Sequence, residues 1–176
     1  MENTRQAYHP LAWYPELDLL KEHFDAIRTE AVRALEQMAF ISDERVSDQS
    51  WRVLPIKPEL EDIANVPKEL RDWSRQLSPQ TVSILEQMPG VIAYAFSALA
   101  PGGVIAAHQH ENPYVTAMFC LQAEGDVYMV NGGERRAIVE GEMLIFDYTM
   151  MHEVVNNGSQ ERIVLLVLME NALKTL

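Results

Sequence analysis

Apolar positions recur along this chain at two different spacings, and the change falls near Gly90. From Glu16 to Met38, the residues Leu17, Leu20, Phe24, Ile27, Ala31, Leu35 and Met38 repeat at intervals of three and four. That is the stripe of one long amphipathic helix, with Lys21, Glu22, Asp25, Arg28 and Arg33 largely off it. Such a stripe packs on a sheet and carries no chemistry. Pro55, Pro58 and Pro67 punctuate residues 41–77, where Pro67–Leu77 reads as a short helix. Ser78-Pro79 reads as an N-cap followed by proline at the first helical position, opening a helix that ends before Met88-Pro89-Gly90.

Beyond Gly90 the apolar residues come in short runs. Val91–Leu99, Val104–His110, Tyr114–Gln122, Asp126–Val130, Arg135–Val139, Glu142–Phe146, His152–Val155 and Ile163–Met169 read as strands. Pro101-Gly102-Gly103, Asn131-Gly132-Gly133 and Asn156-Asn157-Gly158 mark turns between them. Short strands with no helix between them predict a double-sheet jelly roll. The expected fold class is therefore mainly β with N-terminal helices, a double-stranded β-helix of cupin-like form. Residues 1–176 form one domain in this reading, 1–90 a mostly helical cover and 91–176 the jelly-roll core. The barrel interior is expected to be apolar, with Leu20, Phe24, Ile27, Leu35, Phe146, Val164 and Leu166 among the core residues.

Composition narrows the partners. A chain of 176 residues buries a substantial core without disulfides, and 48% hydrophobic with 23% charged residues is ordinary for a soluble globular protein. The formal net charge of −12 argues against nucleic acid, whose recognition rests on neutralising phosphates. The single cysteine, Cys120, excludes an internal disulfide, fits a reducing compartment, and reads as a buried thiol within Ala117–Leu121. Met1–Pro10 lacks the apolar core of a signal peptide, and the longest apolar run, Ile163–Met169, is too short to span a bilayer. A cytoplasmic protein without membrane contact is the expectation, and a homodimer is compatible with it. Trp13, Trp51 and Trp73 read as packing anchors.

The candidate chemistry lies in His108-Gln109-His110 and His152. Histidines two apart on a strand point to one face, because strand side chains alternate. A third, more than forty residues on, joins them only where a sheet folds back. Three imidazoles on one side of a small barrel make a site for a first-row transition metal, with positions left open for substrate and oxygen. The alternative is a surface loop flanked by His108 and His110, with His152 a satisfied core residue. Glu111, Asp147 and Glu153 are the nearest carboxylates in sequence and could orient an imidazole, although turn capping is preferred for Asp147.

Several segments together carry a family resemblance. They are Ser78-Pro-Gln-Thr81, Phe96-Ser97 before Pro101-Gly102, and His108 six residues after that glycine. Gly141-Glu-Met-Leu-Ile-Phe-Asp147 follows, then His152-Glu153-Val154 and Arg162 ten residues past His152, while Tyr14-Pro15-Glu16-Leu17 opens the long helix. This pattern resembles the aspartyl/asparaginyl β-hydroxylase family of iron- and 2-oxoglutarate-dependent oxygenases. The resemblance implies Fe(II) held by His108 and His152, with 2-oxoglutarate as co-substrate and dioxygen as oxidant. It also implies Arg162 as the clamp on the distal carboxylate of 2-oxoglutarate, with Ser97 as a further contact. An arginine's planar fork suits a carboxylate, and an inward arginine opening an apolar strand needs an anionic partner. The substrate implied is an aspartyl or asparaginyl side chain, an amino acid or a small metabolite.

Two departures stand out. His110 occupies a position where the family has a small residue, which makes it a third candidate ligand. Tyr114–Leu121 lacks the arginine and histidine that the family places on this strand to hold 2-oxoglutarate. The alternative class, a cupin-type three-histidine metalloenzyme without an oxo acid, accounts for the first departure. Gly102, His108, His110, Gly141, His152 and Asn156 match the spacing of its two motifs. Its usual glutamate is missing, with Tyr114 and Val115 at the candidate positions, and Asp147 and Thr149 replace its proline and glycine. A third reading is a non-catalytic ligand-binding jelly roll.

Overall fold

The computed structural model describes residues 6–35, 37, 39–40, 50–57 and 68–172. The strands of the second half are β4 (Val91–Leu99), β5 (Val104–His108), β6 (Tyr114–Gln122) and β7 (Val127–Asn131). They continue as β8 (Glu134–Ala137), β9 (Met143–Asp147), β10 (His152–Asn156) and β11 (Arg162–Glu170). All pair antiparallel in a nested order, β4 with β11, β5 with β10, β6 with β9 and β7 with β8. This nesting is the signature of a jelly roll, in which a long ribbon folds over on itself. At its tip, Asn131-Gly132-Gly133-Glu134 joins β7 to β8 with φ of 55° at Gly132 and 84° at Gly133. Positive φ at both central residues matches the primed hairpin turn that suits the strand twist.

The first half is less helical than its residue pattern predicts. It contributes β1 (Tyr8–His9), β2 (Ala39–Phe40) and β3 (Trp51–Lys57), which extend one sheet to seven strands in the order β1-β9-β6-β11-β4-β3-β2. The facing sheet has four, β5-β10-β7-β8. Pro55 disguised β3. It sits where the β3–β4 register shifts, and a strand tolerates proline at such an irregularity.

The expected single helix over Glu16–Met38 is instead a 3-10 turn, Pro15–Leu17, then α1 (Asp18–Glu22) and α2 (Phe24–Leu35). His23 leaves helical geometry at φ −107° and ψ 21°, which breaks the hydrogen-bond ladder and bends the chain round the sheet. Met38, Pro58 and Pro67 lie outside the described residues, as does the side chain of Leu35. The helix expected to start near Pro67 is α3 (Lys68–Leu77), and α4 spans Pro79–Leu85. Ser78 stands at the N-cap of α4 but makes no side-chain cap bond. The buried Glu30 of α2 caps instead, accepting from Gln80 N and Thr81 N at 2.9 Å each and from Thr81 Oγ1 at 2.7 Å.

Two apolar clusters follow from strand alternation. Leu17, Leu20, Ile27, Phe96, Phe119, Ile163 and Leu165 fill the space between the helices and the outer face of the large sheet. Tyr8, Leu99, Ile105, Met118, Met129, Phe146, Val154 and Val164 lie between the two sheets, with Leu166 partly buried beside them. The barrel interior is not wholly apolar, contrary to expectation: Ser97, Thr116 and Arg162 are buried there on inward-facing positions. No helix among the described residues is long and apolar enough to cross a membrane.

Candidate metal centre

Nested pairing puts His108, the last residue of β5, directly across from His152, the first of β10. Their ring centroids are 4.3 Å apart, and His110 joins them at 5.2 Å from His108 and 5.6 Å from His152. One ligand atom from each imidazole lies within 4.8 Å of the other two, so a single metal ion can be held by all three. Candidate residues far apart in the chain thus converge because β5 and β10 pair antiparallel, with a register irregularity between His152 and Val154.

Backbone carbonyls set the imidazole tautomers. Nδ1 of His108 lies 2.8 Å from the Ala106 carbonyl, and Nδ1 of His152 lies 2.8 Å from the Met150 carbonyl. A carbonyl only accepts, so each Nδ1 carries the proton and each Nε2 keeps its lone pair for a metal. The orienting groups are therefore main-chain atoms. His110 is placed by Tyr148: its backbone N–H donates to the Tyr148 carbonyl at 3.3 Å, and its ring stacks on the Tyr148 ring at 3.7 Å between centroids. Asp147 caps the turn, accepting from Thr149 N at 2.8 Å and Thr149 Oγ1 at 2.6 Å. Phe146 packs against His152 with centroids 5.3 Å apart, which gives the buried imidazole an apolar wall.

Arg162 is the other chemical feature of the interior. It is 1% exposed, and Glu161 beside it pairs with Arg52. Arg162 Nη2 donates to Ser97 Oγ at 3.1 Å, Nη1 lies 4.0 Å from Met118 Sδ, and Nε has no hydrogen-bond partner among the described residues. Burial lowers its pKa to about 10, which leaves it a cation at neutral pH. A buried cation whose named contacts are a hydroxyl and a thioether suits an anionic ligand, and a carboxylate matches its fork. Ser97 Oγ also accepts from Trp51 Nε1 at 2.8 Å. Trp51 thus does more than pack, a role that was hidden with its unrecognised strand. Cys120 is buried, and burial pushes its thiol up to about 12, so it is no nucleophile. Asn156 is structural, donating to the carbonyls of Leu99 and Gln160.

Eight antiparallel strands with three converging imidazoles at one mouth and a buried arginine inside define a cupin-like double-stranded β-helix equipped to bind a metal. The chain belongs to the aspartyl/asparaginyl β-hydroxylase family, whose model matches residues 21–172. No curated protein matches it in sequence. Similar solved structures include the polyketide cyclase RemF from Streptomyces resistomycificus, at 12% identity over 76% of this chain and 73% of that one, TM-score 0.47. The Schizosaccharomyces pombe Cnp3 cupin domain is 8% identical over 74% and 71%, TM-score 0.47. A predicted oxalate decarboxylase from Thermotoga maritima is 21% identical over 47% and 69%, TM-score 0.40. Likenesses this distant say nothing about chemistry.

Proposed function

We propose that the protein is a mononuclear non-heme iron oxygenase that uses 2-oxoglutarate and dioxygen to hydroxylate an aspartyl or asparaginyl side chain, a free amino acid or a small metabolite. Arg162 is the observation that carries this reading. It is a buried cation in the same barrel as the three imidazoles, with no carboxylate among its named contacts. His108, His110 and His152 would hold the iron, through Nε2 of His108 and of His152 and one nitrogen of His110. Bound iron supplies dioxygen activation, in which oxidation of the oxo acid to succinate and carbon dioxide accompanies hydroxylation of a substrate C–H bond. Arg162 neutralises and orients the distal carboxylate, with Ser97 fixing the guanidinium, while Phe146 and Tyr148 wall the imidazoles and limit water. Three neutral ligands leave positions for a bidentate oxo acid and dioxygen.

A second reading is a three-histidine cupin-type enzyme that uses no oxo acid. His110 within ligand distance and the lack of a basic residue along Tyr114–Gln122 favour it. Succinate production coupled to oxygen uptake by iron-loaded protein, over a panel of amino acids and peptides, separates the two. Coupled succinate supports the oxygenase. Substrate consumption without it supports the cupin enzyme.

A further inference from the structure

Besides Nε of Arg162, one other polar atom on an inward position of the large sheet is buried without a partner among the described residues: Oγ1 of Thr116. A buried hydroxyl left unbonded is costly, and few native structures keep one without a use for it. Thr116 is inward because β6 alternates: Met118 and Cys120 belong to the cluster between the sheets, whereas Val115, Ala117 and Phe119 pack outward. Its position along β6 is informative. Met118, the next inward residue, touches the Arg162 guanidinium. Thr116 itself stands opposite Phe146 of β9, whose ring packs on His152. Successive inward residues of a strand are about 7 Å apart. Thr116 therefore lies one inward position from the guanidinium, toward the imidazoles.

We propose that the Thr116 hydroxyl donates a hydrogen bond to an anionic ligand stretched between Arg162 and the three imidazoles. The assignment rests on the oxo-acid reading of the site. No residue from Tyr114 to Gln122 carries a charge, so a donor on this strand is a neutral one. Thr116 is neutral, so the inner face has a cation at the Arg162 end and uncharged donors along its length. A ligand with oxygen-rich ends and an uncharged middle fits that distribution. A carboxylate or carbonyl oxygen accepts only, which is what an unpartnered hydroxyl requires.

The test is an anaerobic titration of ferrous-iron-loaded protein with 2-oxoglutarate, read in the optical spectrum of the metal, on wild type, Thr116→Val, Thr116→Ser and Arg162→Ala. Metal-free melting curves of the same proteins are run alongside. Thr116→Val should bind 2-oxoglutarate about tenfold to a hundredfold more weakly, the loss of a hydrogen bond to a charged group, with metal content unchanged. Thr116→Ser should stay within about threefold of wild type, since it keeps the donor. Metal-free Thr116→Val should melt no lower than wild type, because a methyl replaces a hydroxyl that bonds nothing. Wild-type affinity in Thr116→Val, with binding lost in Arg162→Ala, overturns the role of Thr116 and leaves the oxygenase reading standing. A lower melting point for metal-free Thr116→Val also overturns it, since the hydroxyl would then have a structural partner. A wild type that does not respond to 2-oxoglutarate overturns both.

Discussion

His108 and His152 are register partners on neighbouring antiparallel strands, and their rings lie 4.3 Å apart with Nδ1 of each turned to a carbonyl two residues back. The two imidazoles are thus preorganised, with their Nε2 lone pairs directed by the main chain before any metal arrives. Replacing either by alanine should reduce bound ferrous iron from about one equivalent to well under half. His110→Ala should retain more metal than either, because its ring stacks on Tyr148 and lies outside the register-paired strand ends that carry His108 and His152. Metal analysis after desalting checks the order. A His110→Ala protein emptier than the other two would show that His110 is the dominant ligand.

Arg162→Ala should weaken 2-oxoglutarate binding roughly thirty-fold to several thousand-fold, the equivalent of about 2–5 kcal/mol for a lost charge-assisted contact. Metal content should be nearly unchanged, since Arg162 is bonded to Ser97 and not to the imidazoles. Calorimetric titration of the metal-loaded variant measures it. Undiminished affinity would assign the carboxylate to another residue.

Glu30→Ala should lower stability by about 1–3 kcal/mol, because it strips the acceptor from two backbone N–H groups and the Thr81 hydroxyl at the start of α4. Ser78→Ala should cost less, as the Ser78 side chain makes no cap bond. Denaturant unfolding of both variants gives the comparison. Equal losses would mean that the cap is shared.

His9 is buried against Tyr14, with Nδ1 2.9 Å from the Tyr14 hydroxyl, and burial lowers its pKa from 6.5 while Asp147 opposes the shift. In the fold the imidazole is neutral where the unfolded chain begins to take a proton. Its contribution to stability is therefore complete above pH 6.5 and is lost as pH falls below that value. His9→Phe should flatten the decline in metal-free stability between neutrality and about pH 5, whatever its stability at pH 7.5. Parallel slopes for the two proteins would remove His9 from the account.

The strands from Val91 onward were legible because alternation and turn residues are written within a few positions. Predicted and observed limits coincide for Val91–Leu99 and Tyr114–Gln122 and differ by a residue or two elsewhere. The local pairing of His108 with His110, and their metal-binding residue type, were equally plain. Other features depend on partners distant in sequence. β3 passed unnoticed because Pro55 looks like punctuation until a neighbouring strand is present to accommodate its bulge. The break at His23 was invisible to a periodicity that continues straight across it. Nothing in the helix stripe singles out Glu30, which is the cap of α4, fifty residues on. Arg162 stands out as an arginine opening an apolar strand, whereas Thr116 looks unexceptional in its local sequence, and only the closure of one sheet over the other makes both buried donors facing a common interior. Periodicity is a property of neighbours in the chain, whereas desolvation and unpaired polar atoms arise only when distant strands meet.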